Sequence, residues 1–288
     1  LAQPCYLPED YTGHKRERVK KEKTVIEVLR RHVCQISAED VRHESYPEEI
    51  GVPNSERPCD ATWQGRHERY AVEHTSIDSF HGQRHDDDRF RKLMGKLEKE
   101  WSDHPDDWLE IVIDVAAIPN RVNWSDLVHQ IKGWLIQNVP SLPCDCLSPV
   151  RIPGVPFEIS ISRQRLPRQG RVCVLRRSSA DLSEQRAAII RGALDKKIGV
   201  LRQYKKKGHS TVLLIESSDF VLSSRDTIFK ALREAYRTKT DSTVFDQIYI
   251  AMTGTSPWCI VPFKVGKEIK KEPRPYWPTA PGYPFGAS

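Results

Sequence analysis

The chain has 288 residues, 38% of them hydrophobic and 29% charged, with a formal net charge of +6. That length supports one large domain or two small ones with a substantial core. No apolar run approaches the roughly 18 residues needed to span a membrane, and the modest positive charge suits a polyanionic partner without demanding one.

Residues 1 to 13 carry Pro, Gly and Tyr without periodicity and read as an irregular lead-in. From His14 to about Val33 the spacing predicts a helix with an apolar stripe of Val25, Val28, Leu29 and His32 and basic residues elsewhere. Glu22 sits at the edge of that stripe, where an acid either faces water or serves a site. Residues 35 to 57 are mixed and acidic, interrupted by Pro47 and Pro53, and support at most one short strand.

The stretch 58 to 78, PCDATWQGRHERYAVEHTSID, reads as two strands joined by a polar turn. Alternation sends Ala71, Glu73, Thr75 and Ile77 to one face and His74 to the other. With a loop spanning Gly65 to Glu68, Asp60 on the first strand falls opposite Glu73 on the second, about 5 Å away. Like charges that close repel unless a cation holds them or one takes a proton. Paired Asp and Glu oxygens are a donor set that Mg²⁺ prefers. Salt bridges from these acids to Arg57 or Arg69 are the bland alternative.

Three aspartates, 86 to 88, then favour the start of a helix from about Asp87 to Trp101, with Phe90, Leu93, Met94, Leu97 and Trp101 inward. His74, His81 and His85 fit no common zinc spacing. Residues 108 to 118 form an apolar strand, and 123 to 138 an amphipathic helix capped by Ser125 or Asn123. Segments 157 to 164 and 171 to 177 alternate like an antiparallel hairpin.

A further helix runs from about Ser183 to Lys206, with an inward stripe of Ile190, Leu194, Leu201 and Tyr204. At 100° per residue Lys197 lies within about 20° of Ile190, in the middle of that stripe. A lysine there either snorkels to water or meets an acid within the core. Residues 210 to 220 are a buried-strand run with Glu216 and Asp219 at its exit, Asp226 to Arg237 is helical, and 245 to 252 and 257 to 265 are strands. The helix–strand alternation favours parallel additions to a sheet.

Glu22 on the first helix, Asp60 and Glu73-His74-Thr75 on the hairpin, and Lys197 on a later helix together resemble the PD-(D/E)xK nuclease superfamily, that of restriction endonucleases and Holliday-junction resolvases. Pro58-Cys59-Asp60 stands where the family has Pro-Asp, one residue longer, and Glu73-His74-Thr75 stands where it has Glu-x-Lys. The resemblance covers roughly residues 14 to 78 and 183 to 252. It implies an α/β fold, a restriction-endonuclease-like mixed sheet flanked by helices and carrying a large α/β insertion. The expected parts are an N-terminal helix and catalytic hairpin (1–79), an insertion or subdomain (80–180), the C-terminal half of the core (181–266) and a proline-rich tail (267–288).

The implied activity is hydrolysis of phosphodiester bonds in DNA, with Mg²⁺ or Mn²⁺ held by Asp60 and Glu73, and with Glu22 as a further ligand directly or through water. Thr75 replaces the lysine that family members use to orient the attacking water. Divergent members supply that lysine from the helix after the meander, which makes Lys197 the candidate here; Thr75 donates a hydrogen bond but carries no charge. A catalytically inactive nuclease-fold module that binds nucleic acid or protein is the alternative. Seven cysteines, odd in number and scattered, together with an N-terminus lacking the basic-then-apolar order of a signal peptide, point to reduced thiols in a cytoplasm.

Overall fold

A computed structural model describes residues 14–37, 40–46, 58–101, 108–164, 171–178, 182–219, 224–238, 241–254, 258–270 and 275. The expected irregular lead-in and most of the proline-rich tail lie outside them. In chain order come α1 (His14–Ser37), β1 (Arg42–Ser45), β2 (Ala61–Gln64), β3 (Arg69–Ile77), α2 (Gln83–Trp101) and β4 (Trp108–Asp114). Next are α3 (Trp124–Asn138), β5 (Ser148–Val150), β6 (Ile159–Gln164), β7 (Arg171–Arg177) and α4 (Ser183–Lys206). The last described elements are β8 (Ser210–Ser217), α5 (Arg225–Arg237), β9 (Gln247–Met252), β10 (Cys259–Val265) and β11 (Glu268–Ile269). The fold is α/β, with mixed sheets flanked by helices. Contacts divide it into two compact units, Leu1–Ile77 with Ile190–Asp219 and Leu232–Ser288, and Asp78–Ile189 with Phe220–Ala231. Among the described residues no helix is long and apolar enough to cross a membrane.

The first unit holds a seven-stranded sheet in the order β1-β2-β3-β8-β9-β10-β11. β1, β2 and β3 pair antiparallel, β3 and β8 parallel, β8 and β9 parallel, and β9 and β10 antiparallel. β8 lies between two parallel neighbours, and its Val212, Leu213, Leu214 and Ile215 are fully buried, the unbroken apolar run that a strand covered on both faces requires. The helical stripe of α1 (Val25, Ile26, Val28, Leu29 and Val33) packs with Tyr70, Val72, Val212, Leu214 and Tyr249. Alternate residues of β3 and β8 therefore face α1, and those between them face away. His32 belongs to this interior: its ring meets Tyr249 edge-on at 5.7 Å, and burial pushes its pKa down to about 4.

The second unit holds a four-stranded sheet, β5-β6-β4-β7, with α2 and α3 packed on it through Leu93, Leu97, Val128, Ile131 and Leu135. Two expectations are corrected here. β6 and β7 are not a hairpin, because β4 lies between them, antiparallel to β6 and parallel to β7. α2 begins at Gln83 rather than Asp87, with the Gln83 side chain accepting from the Ser79 amide at 2.5 Å. Asp86 still falls in the first turn of α2, and the aspartates also serve the unit's interior: Asp86 and Asp87 take the buried Arg176 guanidinium, and Asp86 accepts from the Ala116 amide at 3.1 Å. Asn123, not Ser125, caps α3, accepting from Ser125 N at 3.1 Å and Asp126 N at 3.5 Å. Asn123→Ala is expected to cost about 1 kcal/mol, read as a lowered urea midpoint.

Candidate functional site

The hairpin closes on the expected loop, with the Gly65 amide donating to the Glu68 carbonyl at 2.8 Å and Ala61 opposite Val72. Continuing that register places Asp60 opposite Glu73, although the chain bends at Asp60, one residue before β2 begins. β3 runs on to Ile77 along β8 after β2 has ended, so its edge beyond Val72 needs other partners. Asp60 supplies one: its Oδ2 accepts from the His74 amide at 2.6 Å.

Lys197 arrives from α4. Its Nζ donates to Asp60 Oδ2 at 3.2 Å and to Glu73 Oε2. Glu73 is 1% exposed and the Lys197 side chain 12%, so the ammonium is held inside rather than snorkelling to solvent. Burial works against its charge, but the Glu73 and Asp60 carboxylates outweigh burial and hold its pKa above the ordinary lysine value. Two turns further along α4 the Tyr204 hydroxyl accepts from the Cys59 amide at 3.3 Å, fastening the residue before Asp60 to the same helix. Burial pushes the Cys59 thiol up to about 12, so it stays a thiol. Thr75 is half-buried on the strand side shared with Glu73.

Glu22 meets a different group. Its Oε1 lies 3.5 Å from Nδ1 of His74, whose Nε2 is 3.1 Å from Glu216 Oε2. The other Glu216 oxygen accepts from Thr253 Oγ1 at 2.6 Å. The ring thus sits between two carboxylates on the α1 side of β3, while Glu73 meets Lys197 of α4. Glu216 was visible in the sequence only as an acid at a strand exit, and neither His74 nor Thr253 carried a signal of its own; the β3–β8 register, with Ser76 beside Glu216, is what joins them.

Burial disfavours a charged His74, yet its hydrogen bonds to Glu216 and Glu22 prevail and raise its pKa from 6.5 to about 9. Between those values the folded chain binds a proton that the unfolded chain does not, so stability falls as pH rises. The contribution is complete below pH 6.5 and gone above about 9, an interval worth about 3 kcal/mol. Urea titrations should show the advantage of wild type over His74→Gln shrinking by that amount across the interval. His32 gives the opposite slope below pH 6.5, since the folded chain resists its protonation.

Among the described residues no group of three or more His, Cys, Asp and Glu side chains is arranged to hold a metal ion. No disulfide joins the six described cysteines. No protein-family model, curated protein or solved structure matches the chain. Chemically, the arrangement is two carboxylates converging on one buried cation, with a second carboxylate pair gripping the ring next door.

Proposed function

We propose that the chain is a divalent-metal-dependent nuclease of the PD-(D/E)xK kind, hydrolysing phosphodiester bonds in DNA through Asp60, Glu73 and Lys197. The observation that carries this reading is the meeting of Lys197 Nζ with both carboxylates, from a helix 124 positions away in sequence from Glu73. A lysine absent from the Glu-x-Thr motif is thereby returned to the acids that such chemistry needs. The element order adds support: a helix, a three-strand antiparallel meander, then, from Ser183 onward, a helix and a strand parallel to the third. On this reading the order would be that of a restriction-endonuclease-like core, with residues 80 to 180 as its insertion.

The donor set fits Mg²⁺ or Mn²⁺. Both groups are hard carboxylate oxygens that already converge on one compact cation, the Lys197 ammonium, and Mg²⁺ commonly binds through one or two carboxylates with water and substrate phosphate completing its shell. When bound, the ion neutralises charge developing on the phosphodiester and acidifies a water molecule. Asp60 and Glu73 would hold it. Lys197, tethered beside both, would orient the water and donate to the same developing charge, and Thr75 would contribute a hydrogen bond. Backbone contacts to DNA would come from basic helices, so binding should weaken steeply with salt.

The test is incubation of the protein with plasmid, single-stranded DNA and RNA while Mg²⁺ or Mn²⁺ is titrated. Cleavage of DNA that EDTA abolishes is expected. Retention of nucleic acid by a protein that leaves all three substrates uncut would replace this reading with the inactive binding module.

A further inference from the structure

Building on that reading, we propose that His74 is a positioning residue for the Asp60–Glu73 pair, and that Glu22 acts through His74 rather than as a cation ligand. His74 touches the site by its main chain and is gripped by its side chain. Its amide donates to Asp60 Oδ2 at 2.6 Å, the same oxygen that takes Lys197 Nζ at 3.2 Å, and its peptide neighbour is Glu73. Its ring, 6% exposed, lies between Glu22 of α1 at 3.5 Å and Glu216 of β8 at 3.1 Å.

The grip falls where β3 has outrun β2. From Glu73 onward the strand is paired along β8, and the edge that β2 has left behind is met at His74 by the Asp60 carboxylate. A rotation of β3 about its axis there would swing the His74 amide away from Asp60 and Glu73 away from Lys197 together. The ring resists such a rotation because its two nitrogens face acids from two different elements. Glu216 is itself fixed through its second oxygen by Thr253 at 2.6 Å, just after β9. Glu22 thus helps hold the strand from the α1 side, and its effect on the site passes through the ring that it touches.

Mn²⁺ binding to the full chain, measured by isothermal titration without substrate, tests this. Wild type, Glu22→Gln, His74→Gln and the double variant are compared, with circular dichroism to establish folding. His74→Gln is expected to weaken Mn²⁺ binding about 10-fold or more, the usual effect of losing an outer-shell contact. Glu22→Gln should weaken it less, and should add nothing in the His74→Gln background, because residues acting through one contact are not additive. Glu216→Gln, remote from Asp60 and Glu73 in its contacts, should reproduce the loss if His74→Gln fails to fold. Unchanged binding by folded His74→Gln and Glu216→Gln variants, or additive losses from Glu22→Gln and His74→Gln, would overturn the positioning role while leaving the nuclease reading in place. A wild type that binds no Mn²⁺ would overturn both.

Discussion

Glu73→Gln is expected to reduce metal-dependent DNA cleavage by about 10³-fold, corresponding to the several kcal/mol of transition-state stabilisation that a catalytic cation supplies. The substitution keeps the shape of a side chain that is 1% exposed and keeps an oxygen facing Lys197, but removes the charge that would hold a divalent ion. Lys197 retains Asp60 as counterion, so the circular dichroism spectrum should match wild type. Single-turnover cleavage of plasmid in Mn²⁺ is the appropriate measurement, because it separates the chemical step from product release. Wild-type cleavage by Glu73→Gln would remove Glu73 from the active centre and with it the proposed cation site.

The parts of this site that the sequence made legible are those governed by local periodicity. A four-residue hairpin loop sets the register of β2 and β3, so Asp60 and Glu73 could be matched across the turn from spacing alone. The 3.6-residue period of α4 placed Lys197 on the buried stripe, and a buried ammonium needs a counterion. Register between distant strands has no such local code. β4, β6 and β7 share similar apolar alternation, and nothing in it says that β4 inserts between the other two. The Glu216 grip on His74 depends on a parallel pairing of segments far apart in sequence. Alternation did send His74 and Glu73 to opposite sides, but what waits on the α1 side is a tertiary fact. The aspartates at 86 to 88 illustrate the same limit: their helix-start chemistry is local, whereas their capture of Arg176 is not.

Lys197→Met should produce three changes that a snorkelling lysine would not. Methionine keeps the unbranched stem and the helical preference of α4 while removing the ammonium. Taking one partner from a buried ion pair costs about 3–5 kcal/mol, toward the lower end here because Asp60 and Lys197 retain 13% and 12% side-chain exposure. In EDTA the variant should therefore unfold at a lower urea concentration, with Asp60 and Glu73 left facing each other. Added Mn²⁺ should then stabilise the variant more than wild type, since in wild type the incoming cation has to share the same carboxylates with an ammonium already beside them and is repelled by it. Cleavage should nevertheless fall by about 10²-fold, the scale on which a single positioned donor stabilises a developing oxyanion. The opposed directions of these effects are diagnostic. A residue that only neutralised the carboxylates would be replaced by Mn²⁺ in both stability and rate, whereas a catalytic lysine leaves a stabilised, metal-loaded and slow protein.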